Sequence, residues 1–225
     1  KLLDARNDAK DVAQVYSALA SIRWKTSRYE EAEQYYSTCL ALREKIGDRL
    51  AVARVYNNLG VLYRAMHRFP ESLEHHQRSI AIRQELGDEE GVARNLVNLG
   101  WVHFEMGNLD TAEEHAIHAC RMGDDLGVLG TRALGKGLLG EIYLLQERMP
   151  EARTILQEAI DETRALGDAA ELFVNLRKFA SLELRSGRLA DAEQRLHEAE
   201  EYLSSAGSPL EEANWHLTHG ELRHA

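Results

Sequence analysis

The sequence of 225 residues has few of the residues that mark several protein classes. Its only cysteines, Cys39 and Cys120, lie far apart without a partner motif, so we expect no disulfide framework and a reducing, cytoplasmic location. There are three prolines but abundant Ala, Leu, Glu and Arg, which favours helix over sheet. No apolar run approaches the roughly 20 residues of a membrane span, so no membrane association is expected. The net charge of −10 argues against direct binding of nucleic acid, which needs a basic face.

What the sequence does contain is three series of small residues that each recur every 40 residues. The first is Gly47, Gly87, Gly127, Gly167 and Gly207; the second is Gly60, Gly100, Gly140 and Gly220, with Ala20 and Ala180 in the remaining places; the third is Ala32, Ser72, Ala112, Ala152 and Ala192. Because the three series stay in register across five periods, the chain is a tandem repeat.

Each period is predicted to form two helices joined by a tight turn, because apolar residues recur at helical spacing in segments such as 52–66 and 71–86. Pro70 and Pro150 are placed at the start of a second helix, where a missing N–H costs nothing. The first glycine series is predicted to end the second helices in the left-handed conformation. The acids that follow are predicted N-caps: Asp48, Asp88 and Asp168. The other two series lie within helices, where small side chains let two backbones approach closely.

This pattern resembles the tetratricopeptide repeat (TPR) across essentially the whole chain. The signature is a large residue, then Leu-Gly, then Tyr, then a small residue in the second helix. It appears as Tyr56, Leu59, Gly60, Tyr63 and Ser72, with variants at Leu96, Leu99, Gly100, His103 and Ala112, and at Lys136, Leu139, Gly140, Tyr143 and Ala152. The long period is similar to that of kinesin light chain, the Pins/LGN adaptors and TPR-containing bacterial regulators. The resemblance implies an all-α fold, a right-handed α-solenoid of tandem helix-turn-helix repeats.

The repeat alignment predicts a single array over residues 1–225. The predicted repeats are 8–47, 48–87, 88–127, 128–167 and 168–207, with 1–7 as the tail of a preceding repeat and 208–225 as the first helix of a sixth. The partial units at both ends predict a segment of a longer array in a multidomain protein. They also predict end-to-end self-association through helix faces that lack a neighbour.

One stretch nearly matches the phosphate-binding loop of nucleotide hydrolases. Gly130, Gly135, Lys136 and Gly137 have its spacing, but Gly137 replaces the hydroxyl residue that the loop needs for Mg²⁺, and no strand precedes it. Each surplus glycine costs a helix roughly 1 kcal/mol relative to alanine. We therefore predict no nucleotide, and instead a bend or a late helix start near residues 128–137.

The other reactive side chains form no recognisable site. The histidine pairs lack a third ligand at a telling spacing and are predicted to be surface or boundary residues: His75 with His76, His115 with His118, and His216 with His219. Cys39 takes a small-residue position and is predicted to be a packed side chain. No Ser/His/Asp arrangement occurs, so we predict no catalytic residue, no cofactor, no metal and no enzyme activity.

The TPR resemblance implies a binding surface, because the first helices of such arrays line a concave groove. The implied groove residues are Arg54, Asn57, Asn58, Val61, Arg64, Arg94, Asn98, Trp101 and Glu105. Arg and Asn four apart share one helix face, and Arg54/Asn58 and Arg94/Asn98 repeat this pair as a ladder. Asn can bind a peptide backbone, Arg can clamp a carboxylate and Trp101 can anchor an apolar side chain. The alternative is that these polar residues only solvate the inner wall.

The sequence therefore predicts a non-catalytic interaction module that binds an extended, acidic peptide or a partner domain in this groove. Such a module serves a larger scaffold, adaptor, signalling or regulatory protein. Two alternatives stay open at this point. One is an effector-sensing or autoregulatory segment of a bacterial multidomain transcription regulator or kinase, and the other is a nucleotide-binding enzyme that uses residues 130–137.

Overall fold

The computed structural model describes the backbone of residues 2–205 and 209–224, and the side chains of residues 8–204 and 213–223. Over this range the chain is all-α and contains no strand. In chain order the helices are α1 (Leu2–Lys25), α2 (Tyr29–Lys45), α3 (Arg49–Ala65), α4 (Phe69–Leu86), α5 (Glu89–Glu105), α6 (Leu109–Leu126), α7 (Leu129–Leu145), α8 (Met149–Leu166), α9 (Ala169–Arg185), α10 (Leu189–Glu200) and α11 (Pro209–His224), with a 3-10 turn at Leu203–Ser205. The predicted class, tandem helix-turn-helix repeats of an α-solenoid, is confirmed. Within the described ranges, no helix has both the length and the apolar character that a membrane span requires.

The predicted capping residues act as expected. The side chains of Asp48, Asp88 and Asp168 each accept the backbone N–H three residues ahead, at 3.1–3.3 Å. Such caps satisfy donors that the first helical turn leaves unpaired. Pro70 and Pro150 lie in the first turn of α4 and α8. The glycines that end the second helices are left-handed, with φ of 68° to 70°: Gly47, Gly87, Gly127 and Gly167. Gly207 lies outside the described residues.

A second left-handed series, not predicted from the sequence, lies in the turn inside each helix pair. Its members, again 40 residues apart, are Ser27, His67, Gly107, Glu147 and Gly187. The three that are not glycine have φ of 55° to 58°, a conformation that L-residues adopt at some cost. Because side chains of three different types occupy it, this turn position leaves no glycine pattern in the sequence.

The structure forms two compact units, Lys1–Met106 and Gly107–Ala225. In the first unit, α2 packs against α1 and α3, and α4 packs against α3 and α5. Its core is built around Tyr36, Leu59, Leu62 and Tyr63. In the second unit, α6 to α10 pack in sequence, and α11 packs against α9 and α10. The core of that unit contains Leu156, Ile160, Phe173, Leu176 and Trp215.

Helix α1 is one continuous helix from Leu2 to Lys25. It has no break at residues 7–8, where the predicted boundary between a preceding repeat and the first repeat would lie. The helix can continue because residue 7 is Asn, whereas the equivalent residues Gly47 and Gly87 are left-handed glycines. The division of the chain into five repeats stays a prediction.

The small residues within the helices lie where two helices are in close contact. A Cβ atom on Gly60 would lie 2.6 Å from the ring of His76, and one on Gly140 would lie 2.3 Å from Leu156 Cδ2. The third series is fully buried: Ala32, Ser72, Ala112, Ala152 and Ala192. Since real Cβ contacts are longer than these distances, larger side chains here would overpack the helix pairs.

The prediction of a bend or late start in the glycine-rich stretch is wrong. Helix α7 begins at Leu129 and has 17 residues, as α3, α5 and α9 do, although Val128 provides no side-chain cap. Two of the surplus glycines, Gly135 and Gly137, admit side chains of neighbouring helices. A Cβ atom on Gly135 would lie 2.6 Å from Cys120 Sγ, and one on Gly137 would lie 2.8 Å from Asn175 Oδ1. Lys136 Nζ lies 2.7 Å from carboxylate oxygens of two glutamates of α8, Glu158 and Glu162. Close packing and these ion pairs thus offset the poor helix propensity.

A buried carboxylate fixes the end of α9 in the second unit. The side chain of Glu183 is 1% exposed, and its two oxygens accept hydrogen bonds from both Arg153 on α8 and Arg188 in the following turn. The pKa of this carboxyl is raised, because the effect of burial exceeds that of the Arg153 charge, which lowers it. The two guanidiniums compensate the cost of burying the charge.

Candidate functional site

The nine residues of the predicted groove all lie on α3 and α5, inside the first compact unit. We call them together the α3–α5 surface. Arg54, Arg94 and Glu105 are exposed, and the others are half-buried: Asn57, Asn58, Val61, Arg64, Asn98 and Trp101. The structure therefore places every predicted residue where a ligand can reach at least part of its side chain.

The asparagines link the two helices in a different pairing from the predicted ladder. Asn98 Nδ2 donates a hydrogen bond to Asn57 Oδ1 at 2.8 Å. Asn58, which the ladder paired with Asn98, instead lines a cavity of about 150 Å³ between α1, α2 and α3. The difference arises because Asn57 and Asn58, as consecutive helical residues, point about 100° apart, so only one of them faces Asn98. The amide oxygen of Asn98 and the amide nitrogen of Asn57 keep hydrogen-bonding capacity for a ligand.

Trp101 lies in a mixed aromatic and charged environment. The guanidinium carbon of Arg64 is 5.7 Å from the centroid of the indole ring, and Phe104 contacts the indole edge-to-face at 5.4 Å. Arg64 Nε also lies 3.6 Å from Glu105 Oε1. Burial lowers the pKa of the Arg64 guanidinium, while the charge of Glu105 raises it. Trp101 is thus half-buried, because Phe104 and Arg64 cover part of the ring.

Two arginines give the N-terminal half of the surface its positive charge. Arg94 forms an exposed ion pair of 2.7 Å with Glu90, one turn earlier on α5. Exposed pairs of this kind contribute only about 0.3–0.5 kcal/mol, so a ligand carboxylate can replace Glu90 at small cost. Arg54 is exposed and forms no hydrogen bond or ion pair with the residues that the structure describes. Arg54 also lines the cavity that Asn58 lines.

A buried arginine that was not predicted from the sequence lies behind this surface. Arg83, on α4, donates hydrogen bonds to the N-cap Asp88 and to Ser79. Arg43 on α2 pairs in the same way with the N-cap Asp48, at 2.9 Å. The signal available in the sequence was the recurrence of Arg five residues before a capping Asp in two consecutive periods.

The histidine prediction is wrong at one residue. His76 is fully buried, and neither ring nitrogen has a hydrogen-bond partner among the described residues. Burial, chiefly, lowers the pKa of its imidazole to about 3. The register explains the burial, since Tyr36 and Leu156, one and two periods away, are core residues as well. The remaining histidines of the three pairs are half-buried or exposed as predicted: His75, His115, His118, His216 and His219.

The two cysteines and residues 130–137 form no reactive or phosphate-binding site among the described residues. Cys39 is buried as predicted, and burial raises the pKa of its thiol; burial raises that of Cys120 to about 12. Thiols with such pKa values are poor nucleophiles near neutral pH. Residues 130–137 lie inside α7, so their backbone N–H groups belong to a helix and do not form a phosphate-binding loop. Across the described ranges, no three His, Cys, Asp or Glu side chains are grouped as a metal site would require.

Comparison with known proteins agrees with this architecture. A family model described as tetratricopeptide repeat matches residues 11–85 and 52–124, which together span just over half of the chain. No curated protein sequence matches the chain. Solved structures do match, at identities that show the fold alone.

Three of these structures illustrate the range. BtubC (BKLC) from P. vanneervenii is 21% identical, with a TM-score of 0.69 over 88% of this chain and 82% of that one. The TPR-like repeats of a putative kinesin light chain from Podospora anserina are 14% identical, with a TM-score of 0.63 over 88% of this chain and 97% of that one. A Rap protein complexed with competence and sporulation factor is 16% identical, with a TM-score of 0.67 over 96% of this chain and 66% of that one.

Proposed function

The chain belongs to the tetratricopeptide repeat family, and from this premise we propose that it is a non-catalytic module that binds an extended, acidic peptide on the α3–α5 surface. Repeats of this family serve protein interaction, and one solved structure of similar fold is a Rap protein complexed with competence and sporulation factor. The proposal includes a cytoplasmic location, consistent with the two free cysteines, and a role as part of a larger scaffold or regulatory protein.

The observation that carries the proposal is the local charge of the α3–α5 surface. Its nine residues include three arginines and one glutamate, whereas the whole chain has a net charge of −10. A positive patch attracts acidic ligands even on a protein of negative net charge. Salt screens charges over about 10 Å, so the distant negative charges of the protein repel a ligand at the patch only weakly. The half-buried Trp101 beside these arginines provides an apolar contact for a neighbouring side chain of the peptide.

The surface can bind a peptide without a conformational change. Asn57 and Asn98 are held by their mutual hydrogen bond, and Arg64 is held between Trp101 and Glu105. Side chains that are already ordered lose less rotamer entropy when the peptide binds. The asparagine amides then bind the peptide backbone, while Arg54 and Arg94 bind its carboxylates.

The test is the affinity of a labelled oligoglutamate peptide, with an oligoglutamine peptide of equal length as the neutral probe. We expect Arg94→Ala and Trp101→Ala each to weaken oligoglutamate binding about tenfold, because each removes a charge-assisted or aromatic contact. Arg78→Ala is the matched control, since Arg78 forms the same exposed pair with Glu74 but on α4. Unchanged affinity in both surface variants would remove the α3–α5 surface as the binding site.

Self-association is a second part of the proposal, and one face of α1 supports it. Val12, Val15 and Ile22 on that face are 46–58% exposed, whereas their equivalents one period later, Val52, Val55 and Leu62, are buried. Exposed apolar patches favour association. Sedimentation at increasing protein concentration tests this self-association. Wild type should associate, and Val15→Lys should associate less. A wild type that remains monomeric throughout would exclude it.

A further inference from the structure

A cavity of about 530 Å³ lies among helices α8, α9 and α10 of the second unit. Its volume is within the range of small-molecule binding sites. The side chains that line it include an aromatic ring, two guanidiniums and a buried carboxylate: Phe179, Arg153, Arg195 and Glu183. None of the residues that line this cavity belongs to the α3–α5 surface.

The position of Glu183 is occupied by a tyrosine at two earlier places in the periodic sequence, Tyr63 and Tyr143. Both rings lie under the guanidinium of an arginine five residues later. The guanidinium carbon of Arg68 is 4.4 Å from the centroid of the Tyr63 ring, and that of Arg148 is 4.0 Å from the centroid of the Tyr143 ring. An aromatic ring under a guanidinium is thus the usual occupant of this position.

At Glu183 the arrangement is reversed in charge. Tyr63 Oη donates a hydrogen bond at 2.7 Å to Glu33, which lies 30 residues earlier. The residue 30 positions before Glu183 is instead Arg153, whose Nη2 donates to Glu183 Oε2 at 2.7 Å. The arginine five residues later, Arg188, also donates to this carboxylate. Because glutamate is shorter than tyrosine and is bound by both arginines, it leaves room where the tyrosine ring lies in the other periods.

The cavity lies at the place of that ring. Forty residues earlier, a smaller cavity of about 340 Å³ is lined by the Tyr143 ring itself together with side chains of α8, among them Glu151, Thr154 and Ile155. The equivalents of these four residues line the larger cavity: Glu183, Asp191, Gln194 and Arg195. The exchange of tyrosine for glutamate therefore accompanies a larger cavity at the same place.

The walls of the cavity are suited to stacking with an aromatic ring. Phe179 is only 4% exposed, so its ring belongs to the inner wall. The guanidinium carbons of Arg195 and Arg153 lie 4.8 Å and 5.6 Å from the centroid of this ring. Both guanidiniums are held by hydrogen bonds, Arg153 to Glu183 and Arg195 to Gln157 at 3.1 Å. Guanidiniums held in this way attract electron-rich aromatic rings to their planar faces.

The charges of the lining favour an uncharged ligand. The charged residues are two arginines and three acids: Arg153, Arg195, Glu158, Glu183 and Asp191. An anion would face the carboxylates and a cation would face the guanidiniums, whereas a neutral ring is repelled by neither. Thr154 and Gln194 also line the cavity and can hydrogen-bond a hydroxyl group on the ring.

We propose that the cavity among α8, α9 and α10 binds a small, uncharged molecule with a phenol-like ring, which takes the place that the tyrosine ring holds in other periods. The ring packs on Phe179 and on the guanidiniums of Arg153 and Arg195, and its hydroxyl group binds the polar side chains of the wall. This site goes beyond the proposed function, because it lies on other helices and binds a small molecule instead of a peptide.

Two probes of equal size test the preference for an aromatic ring. p-Cresol is the tyrosine side chain as a free molecule, and 4-methylcyclohexanol has the same substituents without a π system. Binding is followed by NMR through the side-chain Nε–H signals of Arg153 and Arg195. We expect p-cresol to bind about tenfold more tightly, because cation–π contacts are made only by the aromatic ring. Equal affinities, or no shift of either signal with p-cresol, would overturn the proposal.

A single substitution tests the guanidinium of α10. Arg195→Ile installs the residue found at the equivalent Ile155, and we expect it to weaken p-cresol binding about fivefold. Arg164→Ile is the matched control, since Arg164 and Arg195 both bind Glu198 but only Arg195 lines the cavity. The control should bind p-cresol as wild type does. If Arg195→Ile also keeps the wild-type affinity, the proposed site is wrong.

A double variant fills the cavity with a ring of the protein itself. Arg153→Glu/Glu183→Tyr reproduces the pair of Glu33 and Tyr63, which the chain already forms, so we expect the helices to persist in circular dichroism. The new tyrosine ring should then exclude p-cresol, and binding should be lost. A folded double variant that binds p-cresol as tightly as wild type would contradict the placement of the ligand ring.

Discussion

The buried His76 should make the first unit sensitive to mild acid, and His76→Leu should remove that sensitivity. Leucine is the natural choice, because Leu156 occupies the equivalent position two periods later and packs on Gly140 as His76 packs on Gly60. The substitution keeps the side-chain volume similar and removes two ring nitrogens that lack hydrogen-bond partners. We therefore expect the variant to be at least as stable as wild type at pH 7.5.

The size of the effect follows from the two pKa values of the imidazole. The pKa is about 6.5 in the unfolded chain and about 3 in the folded chain. Between these values the unfolded chain binds a proton that the folded chain does not, so stability falls as the pH falls. From pH 7.5 to pH 5, His76 alone should lower the free energy of unfolding by about 2 kcal/mol.

The assay is urea unfolding of wild type and His76→Leu at both pH values, followed by circular dichroism. The remaining histidines titrate in both proteins, so the difference between the two pH dependences isolates His76. An NMR titration of the folded protein should also show no protonation of the His76 ring above pH 5. Equal pH dependences, or a His76 ring that titrates near pH 6.5, would refute the assignment of His76 as a buried neutral side chain.

Two further predictions concern the free energy of unfolding, one through helix packing and one through the buried carboxylate of Glu183. Gly140→Ala should lower the free energy of unfolding by about 1–3 kcal/mol, since its Cβ would meet Leu156, whereas Gly130→Ala should raise it by up to about 1 kcal/mol because only Leu166 comes within 4 Å. The reverse order of the two urea midpoints would contradict the packing role of Gly140. Glu183→Gln should lower the free energy of unfolding by about 2 kcal/mol, because the charge-assisted hydrogen bonds from Arg153 and Arg188 are lost. An unchanged midpoint would show that this cluster adds no net stability.

The fold could be predicted from the sequence because its determinants are local and periodic. The capping aspartates, the left-handed Gly87 and the close contact at Gly60 all depend on residue types at fixed spacing. Intrinsic propensity misled the prediction at α7, where Gly135 and Gly137 accept side chains from other helices instead of weakening their own. Propensity describes an isolated helix, and here the contacts between helices outweigh it.

The candidate site could be predicted only in outline. The register placed all nine residues on α3 and α5, but it could not show that Asn98 pairs with Asn57, since a choice between adjacent residues depends on the rotation of each helix. Arg83 was missed because it lies on the second helix of a pair, and because its position depends on a glycine of another helix. A Cβ atom on Gly91 of α5 would lie 1.6 Å from Arg83 Nη1. Such contacts form between helices, so they produce no recurring residue spacing within a single helix from which they could be predicted.

The central claim, that the positive α3–α5 surface binds an acidic peptide, is tested most directly by reversing its charge. In the double variant Arg54→Glu/Arg94→Glu, we expect the preference to switch from oligoglutamate to oligolysine, because the two residues that contact the ligand then carry the opposite sign. Circular dichroism of the double variant confirms that the helices persist. A variant that still prefers oligoglutamate, with wild-type affinity, would contradict the claim.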